Sequence, residues 1–476
     1  MGFLNVCNEL IGKLSEFLYT YILIILLVGT GVYFTVRTKF VQIRMLPEAI
    51  RILTEKKKDD TGVSSFQALM ISTASRVGTG NIAGVATALA AGGAGAIFWM
   101  WLLAIIGSAS AFVESTLAQT YKTRDGKEFR GGPAYYIQYA LGKRWLGIVF
   151  SILLIACFAF GFNALQSYNV SSAFEYYIGA DYARTAIPAV IGGILAVATA
   201  LVIFGGVHRI GVITSGIVPV MAVLYILLGL FITLTNLGRL PGIFVLIFTE
   251  AFDFRSIAGG FAGSCVMLGI KRGLFSNEAG MGSAPNAGAT ADVSHPAKQG
   301  LVQMLSVFID TILICTTTAM MLLNYGVIDP ELTGMPFVQQ AVKAEVGELG
   351  IHFITASIFL FAFSSLVGNY CYAESNLKFI KDDKRLLFVF RIVCVLVVFA
   401  GALANFDTVW NLADVLMGFM AIVNIIAILL LGGVAVRILK DYQRQRKDGK
   451  DPVPAKGPWN QKYQVLEGTV ITARPA

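Results

Sequence analysis

Apolar residues run along this chain in long stretches separated by short polar ones, and eleven stretches are long enough to cross a bilayer. They cover roughly 17–36, 65–91, 95–121, 146–172, 187–206, 212–236, 258–290, 300–326, 352–376, 386–404 and 409–437. Two of them are interrupted. The second carries Arg76, Gly78, Gly80 and Asn81 at its middle, where a regular helix is hard to continue. The seventh holds Lys271, Arg272, Asn277, Glu278, Asn286, Pro285 and several glycines in one run. Lipid tolerates free backbone only where protein or a cavity surrounds it, so both interruptions predict broken helices that face a binding site.

Between the spans the pattern is plainer. Val41 to Leu53 mixes apolar residues with Gln42, Arg44, Glu48 and Arg51, which predicts a short helix on the membrane surface. Ser64 to Gln67 reads as an S-x-x-Q capping box opening the second span. The loop from Tyr121 to Pro133 reads as a solvated turn, and the tail after Lys440 as polar, basic and largely disordered. Glu114 and Glu374 fall toward cytoplasmic span ends and read as structural. Trp99 and Trp101 read as interfacial anchors.

Composition agrees with the pattern: of 476 residues 56% are hydrophobic and 14% charged, with a mean hydropathy of +0.70. Soluble domains carry about a quarter charged residues, so this is an all-α polytopic membrane protein. The net charge of +8 does not point to nucleic acid, because most of the 37 Lys and Arg lie in alternate loops and the tail. That asymmetry places the N-terminus outside and the C-terminus in the cytoplasm. The six cysteines have no CxxC spacing and the three histidines are scattered, so no metal cluster or disulfide framework is expected. No catalytic constellation or phosphate loop stands out, and the chain reads as no enzyme and as needing no cofactor.

The two breaks are five spans apart. Spans 2–6 and 7–11 then form two sets of five, and an odd number inverts the second set relative to the first. Paired glycine-interrupted helices in matching positions of two halves point to a transporter's midplane site. The expected divisions are 1–64 for an extra N-terminal span and surface segment, 65–236 and 258–437 for the repeats, and 438–476 for the tail. Each break presents half-helix ends. Free N–H groups at Gly80 and Asn81 suit a carboxylate, and carbonyls from Ala74 to Val77 suit a cation. Carbonyls at Phe275 and Ser276 suit an ammonium group. Gly78, Gly80 and Gly280 let backbone crowd this space, and Phe275 can close one side, which favours a small substrate.

The runs Ser75-Arg76-Val77-Gly78-Thr79-Gly80-Asn81-Ile82-Ala83-Gly84-Val85-Ala86, Gly95-Ala96-Ile97-Phe98-Trp99-Met100-Trp101 and Gly273-Leu274-Phe275-Ser276-Asn277-Glu278-Ala279-Gly280 resemble those of the alanine or glycine:cation symporter family. The breaks also resemble those of neurotransmitter:sodium symporters. Arg76 departs from that second family, which has a small residue there, and Glu278 stands where it usually has serine. The resemblance implies the inverted-repeat fold with an extra leading helix. It also implies symport of alanine or glycine with sodium as the coupling ion, by alternating access in the plasma (inner) membrane. It further implies that Gly161 and Gln166 line the substrate beside Gly78, Thr79, Gly80, Asn81, Phe275, Ser276 and Gly280. Ser364 and Ser365 would complete a sodium site with the carbonyls of Ala74 and Val77.

Other readings stay open beside these. Asp310 is a candidate carboxylate for a cation site. Arg76 and Glu278 read either as a structural lock or as participants in transport. Ser364 and Ser365 could bond back to their own helix, and Gly161, Asn163 and Gln166 could be packing glue. The rival functions are a proton-coupled carrier, with Glu278 or Asp310 as relay, and a channel.

Overall fold

The computed structural model describes residues 3–55, 63–126, 128–179, 181–253, 264–329 and 332–453. The chain opens with α1 (Phe3–Phe17), a π turn over Leu18–Leu23 and α2 (Ile24–Arg37). The segment expected on the membrane surface forms two short helices, α3 (Val41–Arg44) and α4 (Leu46–Leu53). Next comes α5 (Ser65–Arg76), capped as its sequence predicts. Gln67 N donates to Ser64 Oγ at 3.1 Å, and Ser64 N donates to Gln67 Oε1 at 3.0 Å.

At Val77 the backbone leaves the helical region, with ψ at 83°. It re-enters through a π turn over Gly80–Gly84 into α6 (Val85–Gly92). α7 (Gly95–Thr120) follows, then a hairpin of β1 (Thr123–Asp125) and β2 (Glu128–Arg130) where the sequence suggested only a turn. The pairing of Thr123 with Arg130 and Asp125 with Glu128 places Gly126 at positive φ in its tip, which a glycine accommodates without steric cost. α8 (Pro133–Leu141) and α9 (Arg144–Ile155) lead through a π turn over Ala156–Phe162 to α10 (Asn163–Ser172). α11 (Ile187–Ile203), α12 (Gly206–Thr235) and α13 (Leu240–Ala251) follow.

The second broken helix consists of α14 (Cys265–Asn277) and α15 (Pro285–Thr290); the start expected at 258 lies outside the described residues. Its link turns through Glu278 at φ +54°, Gly280 at +83° and Gly282 at +86°. A left-handed conformation costs a residue with a side chain free energy, so Glu278 is held there by its surroundings. A Cβ on Gly282 would lie 2.7 Å from Asn424 Cγ and 2.8 Å from Pro133 Cγ. After α16 (Pro296–Val307), a π turn over Phe308–Cys315 leads to α17 (Thr316–Tyr325) and then α18 (Gly334–Val346). The chain closes with α19 (Glu348–Ile380), α20 (Lys384–Gly401) and α21 (Phe406–Lys447).

Seven helices among the described residues are long and apolar enough to cross a membrane, including Gly95–Thr120, Glu348–Ile380 and Phe406–Lys447. α7 packs against α14 and α16 and lies at the centre of the bundle. The tail departs from expectation as far as Val453, and residues 454–476 lie outside the described residues. α21 continues past Lys440 to Lys447, Ser294 Oγ donates to Pro452 O, and Lys298 Nζ lies 2.9 Å from Asp451 Oδ1. The basic residues of this stretch are one face of a helix whose apolar face, with Ile438, Leu439 and Tyr442, is buried.

Trp99 and Trp101 are half-buried and bonded to protein. Their indole N–H groups donate to Ala251 O and Thr316 Oγ1, tying α7 to its neighbours. The five cysteines whose side chains are described are buried free thiols.

Candidate substrate and cation site

The two breaks face each other. α19 runs hard against α5 because position 368 is glycine: a Cβ there would sit 2.7 Å from Ser75 N. This approach sets Ser365 Oγ 2.9 Å from Ala74 O and 3.5 Å from Val77 O. Ser364 bonds back to its own helix, donating to Phe361 O at 2.9 Å. Of the two hydroxyls, Ser365 is bonded to the first break and Ser364 to its own helix. Nearby, Ser75 Oγ donates to Asn369 Oδ1 at 2.7 Å, and Asn369 Nδ2 donates to Asn163 Oδ1 at 3.0 Å.

The Asn81 N–H expected to be free donates to Gly78 O at 3.2 Å, and side-chain oxygens occupy two further N–H groups of the break. Asn81 Oδ1 accepts from Gly78 N at 3.1 Å, and Gln166 Oε1 accepts from Thr79 N at 3.0 Å. Glycine is required at 78, since a Cβ would collide with Ser365 Oγ and the Gln166 carboxamide. Gly161 precedes Phe162, whose ring meets Phe275. Its Cβ would face Leu416 and Ala413 of α21, so this glycine is a packing contact between helices.

A second oxygen cluster lies on the other side of Asn81. The π turn over Phe308–Cys315 adds a residue to the helical circuit and brings Asp310, Thr311 and Cys315 to one place. Asn81 Nδ2 donates to Asp310 Oδ1 at 2.8 Å, and Ser276 Oγ donates to Asp310 Oδ2. Thr311 Oγ1 lies 3.1 Å from the same carboxylate oxygen, and Thr318 Oγ1 donates to Asn81 O. Asp310 is 1% exposed. A carboxylate and hydroxyl oxygens together form a hard donor set that suits a cation such as sodium, and Asn81 turns its Nδ2 donor toward it.

Aromatic rings close one side. Phe275 lies against Gly80, where any Cβ would overlap its ring, and its centroid is 4.7 Å from Phe162 and 5.3 Å from Trp410. Arg272 stacks on Trp410 at 4.2 Å and pairs with Asp414 through two contacts of 3.1 Å.

The charges of the two breaks meet as their sequence suggested. Arg76 Nε lies 3.9 Å from Glu278 Oε2, with both side chains at 1% exposure or less. Arg76 also donates to Ser306 Oγ, while Glu278 accepts from Ser283 at 2.5 Å and from Ser75 at 3.3 Å. Glu114 makes a contact that the sequence does not show. It is fully buried against the second break and accepts from Gly280 N at 3.3 Å and Asn424 Nδ2 at 2.8 Å. Counting turns put it near a span end, but no sequence signal showed that the unwound loop of another helix reaches it there. Glu374 stays with basic partners, Lys378 at 2.5 Å and Arg391 at 3.6 Å.

Two helices broken inside one bundle, with carbonyl, hydroxyl and carboxylate oxygens converging on the breaks, define a multi-pass secondary transporter. A family model described as the sodium:alanine symporter family matches residues 4–456, and the chain belongs to that family. The amino-acid carrier protein AlsT of Bacillus subtilis is 51% identical over 446 residues, covering 94% of each chain. A second relative from that species, GlnT, bears a provisional name as a sodium/glutamine symporter; it is 48% identical over 94% of this chain and 93% of its own. Among solved structures, MhsT in complex with L-phenylalanine aligns over 80% of this chain and 99% of its own, with a TM-score of 0.56 and 14% identity. That likeness gives the fold.

Proposed function

We propose that this protein carries alanine or glycine together with sodium across the plasma (inner) membrane by alternating access around the two breaks. The observation that carries the reading is the Ser365 hydroxyl beside the carbonyls of Ala74 and Val77, an oxygen set at the end of a half-helix suited to a hard monovalent cation. Asp310, with Asn81, Ser276 and Thr311, provides a second cation position. Family membership supports both alanine and sodium as cargo.

In this reading the substrate carboxylate takes the N–H groups where the first break resumes its helix. It displaces Gln166 Oε1 from Thr79 N, and Gly78 and Gly80 leave it room. The ammonium turns to the carbonyl end of α14 at Phe275 and Ser276. The side chain points at Phe275, Phe162 and Trp410, where the ring already touches Gly80. The repeats are 65–236 and 258–437 within surrounding lipid, the N-terminus is outside and the C-terminus cytoplasmic.

A second reading makes Glu278 a proton carrier, because it is a buried carboxylate whose cationic neighbour Arg76 stands off at 3.9 Å. The substrate reading is tested by uptake of labelled alanine into liposomes holding the purified protein, under a sodium gradient, with glycine, leucine and glutamine as competitors. Glycine competes strongly and leucine weakly if the pocket is small. Equal competition by leucine overturns the small-substrate assignment.

A further inference from the structure

The N-terminal helix precedes both proposed repeats, yet it reaches one of the most deeply buried charge clusters in the bundle. Asp414 is 0% exposed and receives two cations: Arg272 through paired 3.1 Å contacts, and Lys271 Nζ at 2.7 Å from Oδ2. One carboxylate cannot neutralise both charges, and the remainder is met by the N-terminal helix. Lys271 Nζ donates to Ser15 Oγ at 2.9 Å and lies 5.2 Å over the ring of Tyr19, whose hydroxyl reaches Asp414 O at 3.4 Å. Tyr19 and Ser15 are themselves buried, and a Cβ on Gly418, one turn along α21, would lie 2.9 Å from Leu23 Cδ1. The N-terminal helix thus lies pressed along α21 where α21 carries Asp414 and Trp410.

We propose that Ser15, Tyr19 and Lys271 are positioning residues for transport, forming a latch through which the N-terminal helix holds Asp414 in place for Arg272. Arg272 in turn covers Trp410, and Trp410 backs Phe275, the ring that closes the site over Gly80. With the latch made, the closed arrangement of Phe275 and Trp410 is stabilised. With it broken, Asp414 is held less firmly and the aromatic cover opens more often. The inference rests on the assignment of the substrate site between the breaks, but it is read by a separate signal.

That signal is Cys315, buried beside Asp310, whose sulfur lies 3.1 Å from Ser276 Oγ, next in the chain to Phe275, and 3.2 Å from Asn81 Nδ2. In full-length protein with the other cysteines replaced, the rate at which methyl methanethiosulfonate modifies Cys315 reports opening. Lys271→Met, Ser15→Ala and the milder Tyr19→Phe are compared with the parent, first in sodium-free buffer. Lys271→Met and Ser15→Ala speed the modification by about threefold or more, Lys271→Arg restores the parent rate, and KM for alanine rises while kcat holds within about twofold. A helix that serves only as an anchor would lower protein yield or melting temperature and leave the modification rate unmoved. Rates within about twofold of the parent for all three variants overturn the latch. Failure of sodium plus alanine to protect Cys315 in the parent would instead count against the substrate site, leaving the ratio between variants and parent to judge the latch.

Discussion

Ser365→Ala and Ser364→Ala separate a cation ligand from a helix-internal hydroxyl at adjacent positions. Ser365 Oγ lies 2.9 Å and 3.5 Å from two carbonyls at the end of α5, whereas Ser364 is bonded to Phe361 O in its own helix. When sodium binds between these oxygens, the Ser365 hydroxyl turns its proton away and offers a lone pair. Replacing it removes one ligand from a buried ion that no water replaces at equal strength. A hydrogen-bond-strength contact to a charged group is worth about 1.5–3 kcal/mol, which is a shift of about tenfold to a hundredfold in the sodium concentration for half-maximal uptake. Ser364→Ala loses only a bond to a neighbouring turn and shifts that concentration by less than about threefold. The assay is the sodium dependence of initial alanine uptake in liposomes, with melting temperature as a control for folding. Equal shifts for the two variants, or no shift for Ser365→Ala, would refute the cation assignment.

Other outcomes follow from the same geometry. Gly80→Ala drives a methyl into the Phe275 ring, so alanine affinity falls by about tenfold or more in a binding titration, and Phe275→Leu partly rescues it. Burial pushes His295 down to about 4 against the opposing pull of Asp441. The folded state therefore keeps this ring neutral while the unfolded chain charges it below about 6.5, and stability falls as pH drops through that value. At pH 5.5 the loss is about 1.4 kcal/mol, read as a melting shift in detergent that His295→Gln abolishes. For topology, a cysteine near Lys450 in a Cys-free protein resists an impermeant reagent on intact cells, and one near Gly334 reacts. The reverse pattern overturns the orientation.

Much of this architecture is legible along the chain because the bilayer imposes it. Apolar length gives the seven long spans found among the described residues, and glycines beside Asn81 and Glu278 mark where helices must break. Local rules also carry over, as with the Ser64–Gln67 capping box. What the chain hides is contact between distant segments. Glu114 looked peripheral until the link at Gly280 was seen to reach it. Ser364 and Ser365 are neighbours in sequence, yet they point about 100° apart on a helix, and Ser365 is the one bonded to the first break. The continuation of α21 past Lys440 was concealed by its charge, since its buried residues are spaced along one face and do not form an apolar run. The π turn over Phe308–Cys315, which gathers Asp310, Thr311 and Cys315, has no signature in composition.

The central claim is that sodium bound at the first break drives amino-acid uptake. Its most direct measurement is simultaneous flux of labelled sodium and labelled alanine into liposomes containing the protein, with the sodium and proton gradients imposed separately. The account predicts that an inward sodium gradient accumulates alanine with sodium entering in fixed ratio, that a proton gradient alone does not, and that Glu278→Gln keeps the sodium dependence. Accumulation driven by protons without sodium, and lost in Glu278→Gln, would contradict it.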